Sequence, residues 1–263
     1  MKRQVIGLAA VAVLTLAACN QDTGRSATSS KPAAAAPSTA AGPRTTSNDS
    51  GTVNYHPVIV PADFSTRVTN PYFPLTPGTS YVFDGVRDGA PQHTEVTVTN
   101  ETKEIMGVST VVVRDVVTSN GALVEKTTDW YAQKRNGDVW YFGEATAEYE
   151  NGRIANTTGS WEAGVDNAQP GIIMLAFPQP GTGYRQEYRP GEALDTATVQ
   201  TVGARVTVPV GTFAKVVVTN DTNPLAPDRI DKKWYGPGVG LVKVVRDRPG
   251  HHEEAELVKI VKA

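Results

Sequence analysis

Lys126–Phe142 reads KTTDWYAQKRNGDVWYF, and its pattern predicts a β-hairpin: a strand ending in Trp130-Tyr131, a turn at Asn136-Gly137, and an apolar run from Val139 to Phe142. About a hundred residues later Lys232–Val244, KKWYGPGVGLVKV, repeats the outline with Trp234-Tyr235, a glycine-containing turn and the run Leu241–Val244. Outward from the two hairpins the match continues. Pro77-Gly78-Thr79-Ser80-Tyr81 answers to Pro180-Gly181-Thr182-Gly183-Tyr184, and Gly107–Val113 to Gly211–Val217. The offset stays near one hundred, which predicts a tandem duplication of one β-meander, with copies at about 70–165 and 170–261.

Almost no 3.6-residue periodicity follows Tyr55. A short helical turn after Pro61 and a brief helix or loop over Ala168–Ala176 are the exceptions. Elsewhere alternating or apolar runs are cut by Asn-Gly, Asp-Gly and Pro-Gly, which predicts about ten to twelve antiparallel strands. So many strands do not stay in one flat sheet, so the expected fold is all-β: an antiparallel barrel, half-barrel or two-sheet sandwich over residues 55–263.

Treating Asn136-Gly137 and Asn151-Gly152 as two-residue loops predicts a register. Tyr131 then lies opposite Phe142, Phe142 opposite Trp161 and Tyr141 opposite Glu162. Tyr131, Phe142 and Trp161 form a row in this reading, with Trp140 on the same face and Glu144 and Glu148 following it. Such a row serves as core or as a platform for sugar rings or an acyl chain, and inward carboxylates favour a wet cavity. In the second copy a Pro249-Gly250 turn pairs Arg246 with Glu253 and Lys243 with Glu256, read as exposed ion pairs.

The chain has 263 residues, 40% of them hydrophobic, with 24 Gly, 18 Pro and a formal net charge of −2. That length supports one substantial core or two small ones. Lys and Arg are scattered without a basic stripe, which sets nucleic acid aside as a partner. Met1–Cys19, MKRQVIGLAAVAVLTLAAC, has a basic start, an apolar run from Val5 to Ala18 too short for a comfortable membrane span, and small residues before the single cysteine. Asn20 to about Asn54 is rich in Ala, Ser, Thr and Pro and lacks the apolar residues needed to offset ordering entropy, so it is expected to be a disordered tether with a reach of about 30 Å.

Two resemblances follow. Met1–Cys19 resembles the signal peptide of bacterial lipoproteins, whose lipobox is matched by Leu16-Ala17-Ala18-Cys19. The resemblance implies cleavage before Cys19, a diacylglyceryl thioether on its sulfur, usually with N-acylation, and anchoring on the outer side of the cytoplasmic membrane or at the outer membrane; two or more acyl chains make a stable anchor. Val208-Pro209-Val210-Gly211-Thr212-Phe213, Lys232–Lys243 and Asn70-Pro71-Tyr72-Phe73-Pro74-Leu75 resemble the pattern of TapB-type envelope domains. That likeness implies an exported antiparallel β-fold and supplies no catalytic residues.

The polar candidates lie between the copies: Glu144, Glu148 and Tyr149, then Trp161-Glu162 and Asp166, then Arg185 and Glu187. Paired carboxylates suit glycoside hydrolysis, but Glu144 and Glu162 face opposite ways in the predicted register, leaving Glu162 with Asp166 and Arg185 with Glu187 as neighbours. Solvated charges and structural ion pairs are the plain alternative. His56, His93, His251 and His252 lack metal-ligand spacing, and neither a nucleophile elbow nor a phosphate loop is present, so no metal and no cofactor is expected. The leading reading is a lipid-anchored protein that binds an amphipathic or carbohydrate ligand, or an envelope partner, without chemistry, through Tyr131, Trp140, Phe142, Glu144, Trp161, Glu162, Asp166, Arg185 and Glu187. A surface glycan hydrolase or lyase using Glu162, Asp166, Arg185 and Glu187 is the alternative, and a structural interaction lipoprotein the third.

Overall fold

The computed structural model describes residues 55–262. The signal segment, Cys19 and the predicted tether lie outside the described residues. After a 3-10 turn at Pro61–Asp63, where the helical turn was expected, come β1 (Phe64–Ser65), β2 (Ser80–Arg87), β3 (Ala90–Ile105), β4 (Val108–Ser119), β5 (Ala122–Lys134) and β6 (Val139–Glu150). The middle holds short strands: β7 (Arg153–Asn156), β8 (Trp161–Glu162), β9 (Gln169–Met174), β10 (Gly183–Arg185) and β11 (Glu187–Tyr188). The second half is β12 (Thr196–Val208), β13 (Gly211–Asn223), β14 (Ala226–Gly236), β15 (Gly240–Arg248) and β16 (His251–Val261). There are thus sixteen described strands rather than ten to twelve, the surplus being the short central ones, and Ala168–Ala176 contains a strand where a helix or loop was expected.

Two five-strand meanders, β2 to β6 and β12 to β16, join where β16 pairs with β2, giving one antiparallel, nearly closed, barrel-shaped sheet. Closure rests on a split strand. Residues 183–185 pair with β12, residues 187–188 pair with β9, and Gln186 is the step between them, its N–H donating to the Asp195 carbonyl at 2.8 Å. Gly171 lets the backbones meet there, since a Cβ would lie 2.2 Å from the Gln186 carbonyl oxygen.

The meanders share details. Both hairpins carry a bulge at the Trp-Tyr pair, between Trp130 and Tyr131 and between Trp234 and Tyr235. Gly78 and Gly181 each donate to a β-strand carbonyl at 2.8 Å, Val98 and Val199 respectively, and each of those valines donates back to the next threonine at 2.9 Å.

Inward residues grade along the barrel. At the end closed by the Asp88-Gly89 and Pro249-Gly250 turns, register places Arg87, Glu253, Arg246, Asp231 and Asp221 in one row across five strands. The next row holds Gly85, Ala255, Val244, Lys233 and Thr219; beyond it come Phe83, Leu257, Val242, Tyr235 and Val217. The predicted pairings of Arg246 with Glu253 and Lys243 with Glu256 are present. The first differs from expectation in exposure: Arg246 and Glu253 face the interior, Arg246 donating to Asp231 at 2.8 Å and to Glu253 at 3.0 Å, so this is a buried network. Lys243, three residues before Arg246 on β15, is set on the outer face with Glu256 by strand alternation.

Candidate functional site

The first hairpin corrects the predicted aromatic row. The Asn136-Gly137 turn takes one residue more than a two-residue loop, with Lys134 and Asp138 joined by an N–H to carbonyl bond of 2.8 Å, so Tyr131 faces Tyr141 rather than Phe142. The bulge at Phe142 then restores the predicted register, setting Asp129 opposite Glu144. Gly143 permits it: a Cβ would lie 2.3 Å from the Trp161 carbonyl oxygen, at a φ of +137°. Register shifts after Asn151-Gly152 place Trp161 opposite Glu144 and Glu162 opposite Gly143, instead of Phe142 and Tyr141. The inward row is therefore Phe73, Tyr131, Tyr141 and Trp161, with centroid separations of 5.3, 4.7 and 5.3 Å. Trp140 and Phe142 do share a face, but it is the opposite one, where both pack edge-on against Phe64.

Of the nine expected ligand residues the fold brings four to the interior near one another: Tyr131, Glu144, Trp161 and Glu187. Asp129 and Asp195, which sequence reasoning did not single out, complete the group. Tyr141 donates to Asp129 at 2.6 Å and Thr146 to Glu144 at 3.2 Å. Burial pushes the Asp129 carboxyl up to about 7 against the hydrogen bonds of Tyr141 and Tyr131, and Asp195 up to about 7 against the attraction of Arg229. Burial also raises Glu144, helped by Asp129, and Glu187, helped by Asp195. These are carboxyls driven toward their neutral form by desolvation and by each other. They are sealed: Tyr131 and Tyr141 have no exposed surface and Trp161 only 3%.

The remaining candidates disperse. Glu162 points outward and accepts from Lys103 at 2.6 Å, Asp166 meets Arg189 at 3.3 Å, and Arg185 lies over the rings of Tyr55 and Tyr188 at 5.5 and 5.2 Å. Neither Glu162 with Asp166 nor Arg185 with Glu187 forms a pair in this geometry. Glu162, Asp166, Arg185 and Glu187 do not converge on a reacting atom. Among the described residues no three His, Cys, Asp or Glu side chains come together as a metal site.

What reaches solvent is a cleft at the other end of the barrel, about 40 Å³ in volume, lined by Phe73, Leu75, Tyr81, Phe83, Val98 and Leu241 among others, none of them charged. Two of the three segments that carry the TapB-type resemblance, Asn70–Leu75 and Lys232–Lys243, contribute to its wall. Asn70 pins the first across the barrel end: its side-chain amide donates to the carbonyls of Gly137 and Leu175 at 3.0 and 3.1 Å, and its Oδ1 accepts from the Tyr72 N–H at 2.9 Å. The second is tied on by Gly238, whose N–H donates to the Pro71 carbonyl at 2.7 Å. Phe73 forms part of the cleft wall and packs on Tyr131, so the cleft abuts the inward aromatic row. The signal for this site was present in Asn70–Leu75 and Gly238–Leu241, but no local pattern reveals that segments so distant in sequence share one barrel end.

No protein-family model matches the chain, and no curated protein sequence matches it. Among solved structures, a Bacteroides fragilis protein assigned as exported, with a YmcC-like fold, superposes with a TM-score of 0.43 and 16% identity, covering 73% of this chain and 99% of that one. A Parabacteroides distasonis protein assigned as a lipoprotein gives 0.39 and 16%, covering 72% and 98%. A β-barrel-like protein of the DUF1849 domain of unknown function from Brucella abortus gives 0.44 and 11%, covering 70% and 97%. At these TM-scores the likenesses carry no argument about ligand or activity.

Proposed function

We propose that this chain is a lipid-anchored cell-envelope protein that seats the acyl portion of an amphipathic molecule in the apolar cleft, without chemistry. The observation that carries the reading is the cleft itself, open to solvent and free of charged lining residues. The anchor is the acylated Cys19 expected from the lipobox, which holds the barrel at a membrane surface. The two meanders are tandem copies of one unit in this reading, supported by their matching bulges and turn hydrogen bonds.

Magnitudes favour a transient occupant. A cleft of about 40 Å³ seats only about one or two methylenes, which contributes about 1–2 kcal/mol and by itself gives a dissociation constant weaker than millimolar. Anchoring beside a bilayer supplies acyl chains at high effective concentration, so weak seating suffices.

The test is native mass spectrometry of protein taken from its own envelope fraction in mild detergent, with the wild type compared to Val239→Asp. Val239 lines the cleft and is partly exposed, so an aspartate there is compatible with folding, which a thermal melt verifies. A lipid-mass adduct on the wild type, reduced at least tenfold in the variant, is expected. A clean unliganded mass, or an adduct that the substitution leaves unchanged, overturns the reading.

A further inference from the structure

The two ends of the barrel differ in what their turns expose. At one end the strands are joined through Asp88-Gly89, Asn120-Gly121, Asn151-Gly152, Pro249-Gly250 and Pro224-Leu225, where the leucine is half-buried. At the other end, where the apolar cleft opens, the tips carry Met106, Phe177, Val210 and Val239, and only Val239 is partly covered. Phe177, on the loop after β9, is 82% exposed. Single exposed apolar residues are ordinary on a protein surface. This one is held outward by a fixed backbone: the Ala176 N–H donates to the Asp138 carboxylate at 2.7 Å, the Leu175 carbonyl accepts from the Asn70 amide at 3.1 Å, and Pro178 is buried. A ring presented in this way is ordered before it meets a partner, which lowers the cost of docking.

Contacts between segments make the tips one rim. The Arg135 N–H donates to the Asp63 carbonyl and the Arg135 guanidinium to the Ala62 carbonyl, both at 2.8 Å, which fastens the β5–β6 turn to the 3-10 turn. Pro61 lies against Gly107, next to Met106, close enough that a Cβ on the glycine would come within 3.3 Å of the proline ring. Asn70 links the Gly137 turn to Leu175, and Gly238 is bonded to Pro71. The rim therefore runs unbroken from Met106 to Phe177 and Val239, beside the mouth of the cleft. Arg67 and Arg135 are exposed along it. Apolar tips with guanidinium groups beside them suit a bilayer surface, where the first reach acyl chains and the second stay among headgroup phosphates.

The anchor does not by itself choose which end of the barrel meets the membrane. Residues 20–54, between Cys19 and the first described residue, span up to about 3.3–3.6 Å each when extended, enough for either end to reach. The rim distinguishes the ends. The cleft agrees with it, because a cleft of about 40 Å³ is too shallow to draw a chain out of a bilayer and needs its occupant presented directly from lipid.

We infer that the cleft end of the barrel rests on the bilayer that holds the anchor, with Phe177 inserted among the acyl chains and Met106 and Val210 beside it. The inference rests on the lipid-anchored reading above and adds to it the face that meets lipid.

The experiment reconstitutes the full chain in vesicles of phosphatidylcholine and phosphatidylglycerol, with or without brominated acyl chains, and places a tryptophan at either end, Phe177→Trp or Ile154→Trp. Ile154 is exposed and apolar at the opposite end. The wild type supplies the background emission, and melting curves verify that the variants fold. Brominated lipid is expected to reduce the added emission at least twofold at position 177 and to leave that at position 154 unchanged. Equal quenching at both positions, or none at 177, overturns the inference. So does an unquenched chain that sediments as a dimer and becomes monomeric with Phe177→Ser, which would make the rim a contact between two copies. The intact mass of the same sample reads acylation of Cys19 separately. A chain without acyl groups overturns the lipid-anchored reading and this inference together, whereas an acylated chain without quenching at 177 overturns this inference alone.

Discussion

Gly143 shows how a single residue without a side chain governs the interior. It occupies the bulge that turns Phe142 outward and Glu144 inward, and any Cβ would meet the Trp161 backbone at 2.3 Å. Gly143→Ala must therefore separate β6 from β8 in addition to occupying a backbone conformation that L-residues rarely adopt. It is expected to cost more than about 2 kcal/mol, read as a lower urea midpoint. A midpoint within error of the wild type would mean that β8 can move aside freely. At the same scale Asn70 explains why the Asn-Pro-Tyr-Phe-Pro-Leu stretch has the composition it has: the amide satisfies both the barrel end and its own turn, which the Phe73 N–H closes on the Asn70 carbonyl at 3.2 Å with Pro71 at its first corner.

Among the elements, β13 and β14 carry an unusual load. Lys233 on β14 is 1% exposed, as is Asp221 on β13, and their charged groups meet at 2.8 Å. Coulomb attraction offsets desolvation only while both partners remain. Lys233→Met is expected to destabilise the protein by about 3–5 kcal/mol, and Lys233→Met combined with Asp221→Leu by clearly less, since the double change removes the orphaned charge. Chemical denaturation of the three proteins checks this. If the double variant is the least stable, the pair acts through packing rather than charge. The hairpins themselves are conventional by comparison. Asp88-Gly89, Asn120-Gly121 and Asn151-Gly152 place two left-handed residues in two-residue loops, which suits the right-handed twist of the strands they join.

For the whole molecule, the buried carboxyls predict how stability follows pH. Glu125 is pushed up to about 8 by burial, only partly countered by Arg87, and Asp129 and Asp195 up to about 7. In the unfolded chain such groups ionise near pH 4. The folded state therefore binds more protons between about pH 4 and 8, and stability falls as pH rises through that window, by up to about 1.4 kcal/mol per pH unit for each proton released. Asp231 acts oppositely: burial raises it, but Arg246 and Arg229 outweigh burial and hold it below the usual carboxylate range, so its contribution is lost only in strong acid. The melting temperature is expected to be higher at pH 5.5 than at pH 8.5, and Asp129→Asn with Asp195→Asn to flatten the difference. A melting temperature that rises across that interval would show that these groups ionise in the folded protein at little cost.

Much of the architecture is written in local chemistry. Alternation and glycine turns specify antiparallel strands, the Trp-Tyr hairpins specify two like meanders, and the Pro249-Gly250 turn specifies a register that the fold keeps residue for residue. These are nearest-neighbour properties, set by backbone geometry within a few residues. Bulges escaped such reading, because whether a strand carries an extra residue is decided by what lies across the ladder, as the Trp161 backbone does for Gly143. The extra residue in the Asn136-Gly137 loop moved Tyr141 into the row and Phe142 out of it, and the bulge beside Gly143 then returned Glu144 to the inner face. Barrel closure through the split strand at Gln186, the apolar cleft shared by Phe73 and Leu241, and the ion-pair network of Arg87, Glu253, Arg246 and Asp231 all depend on residues far apart in the chain. Only the tertiary structure brings them together, since curvature accumulates over the whole sheet and no single segment contains it.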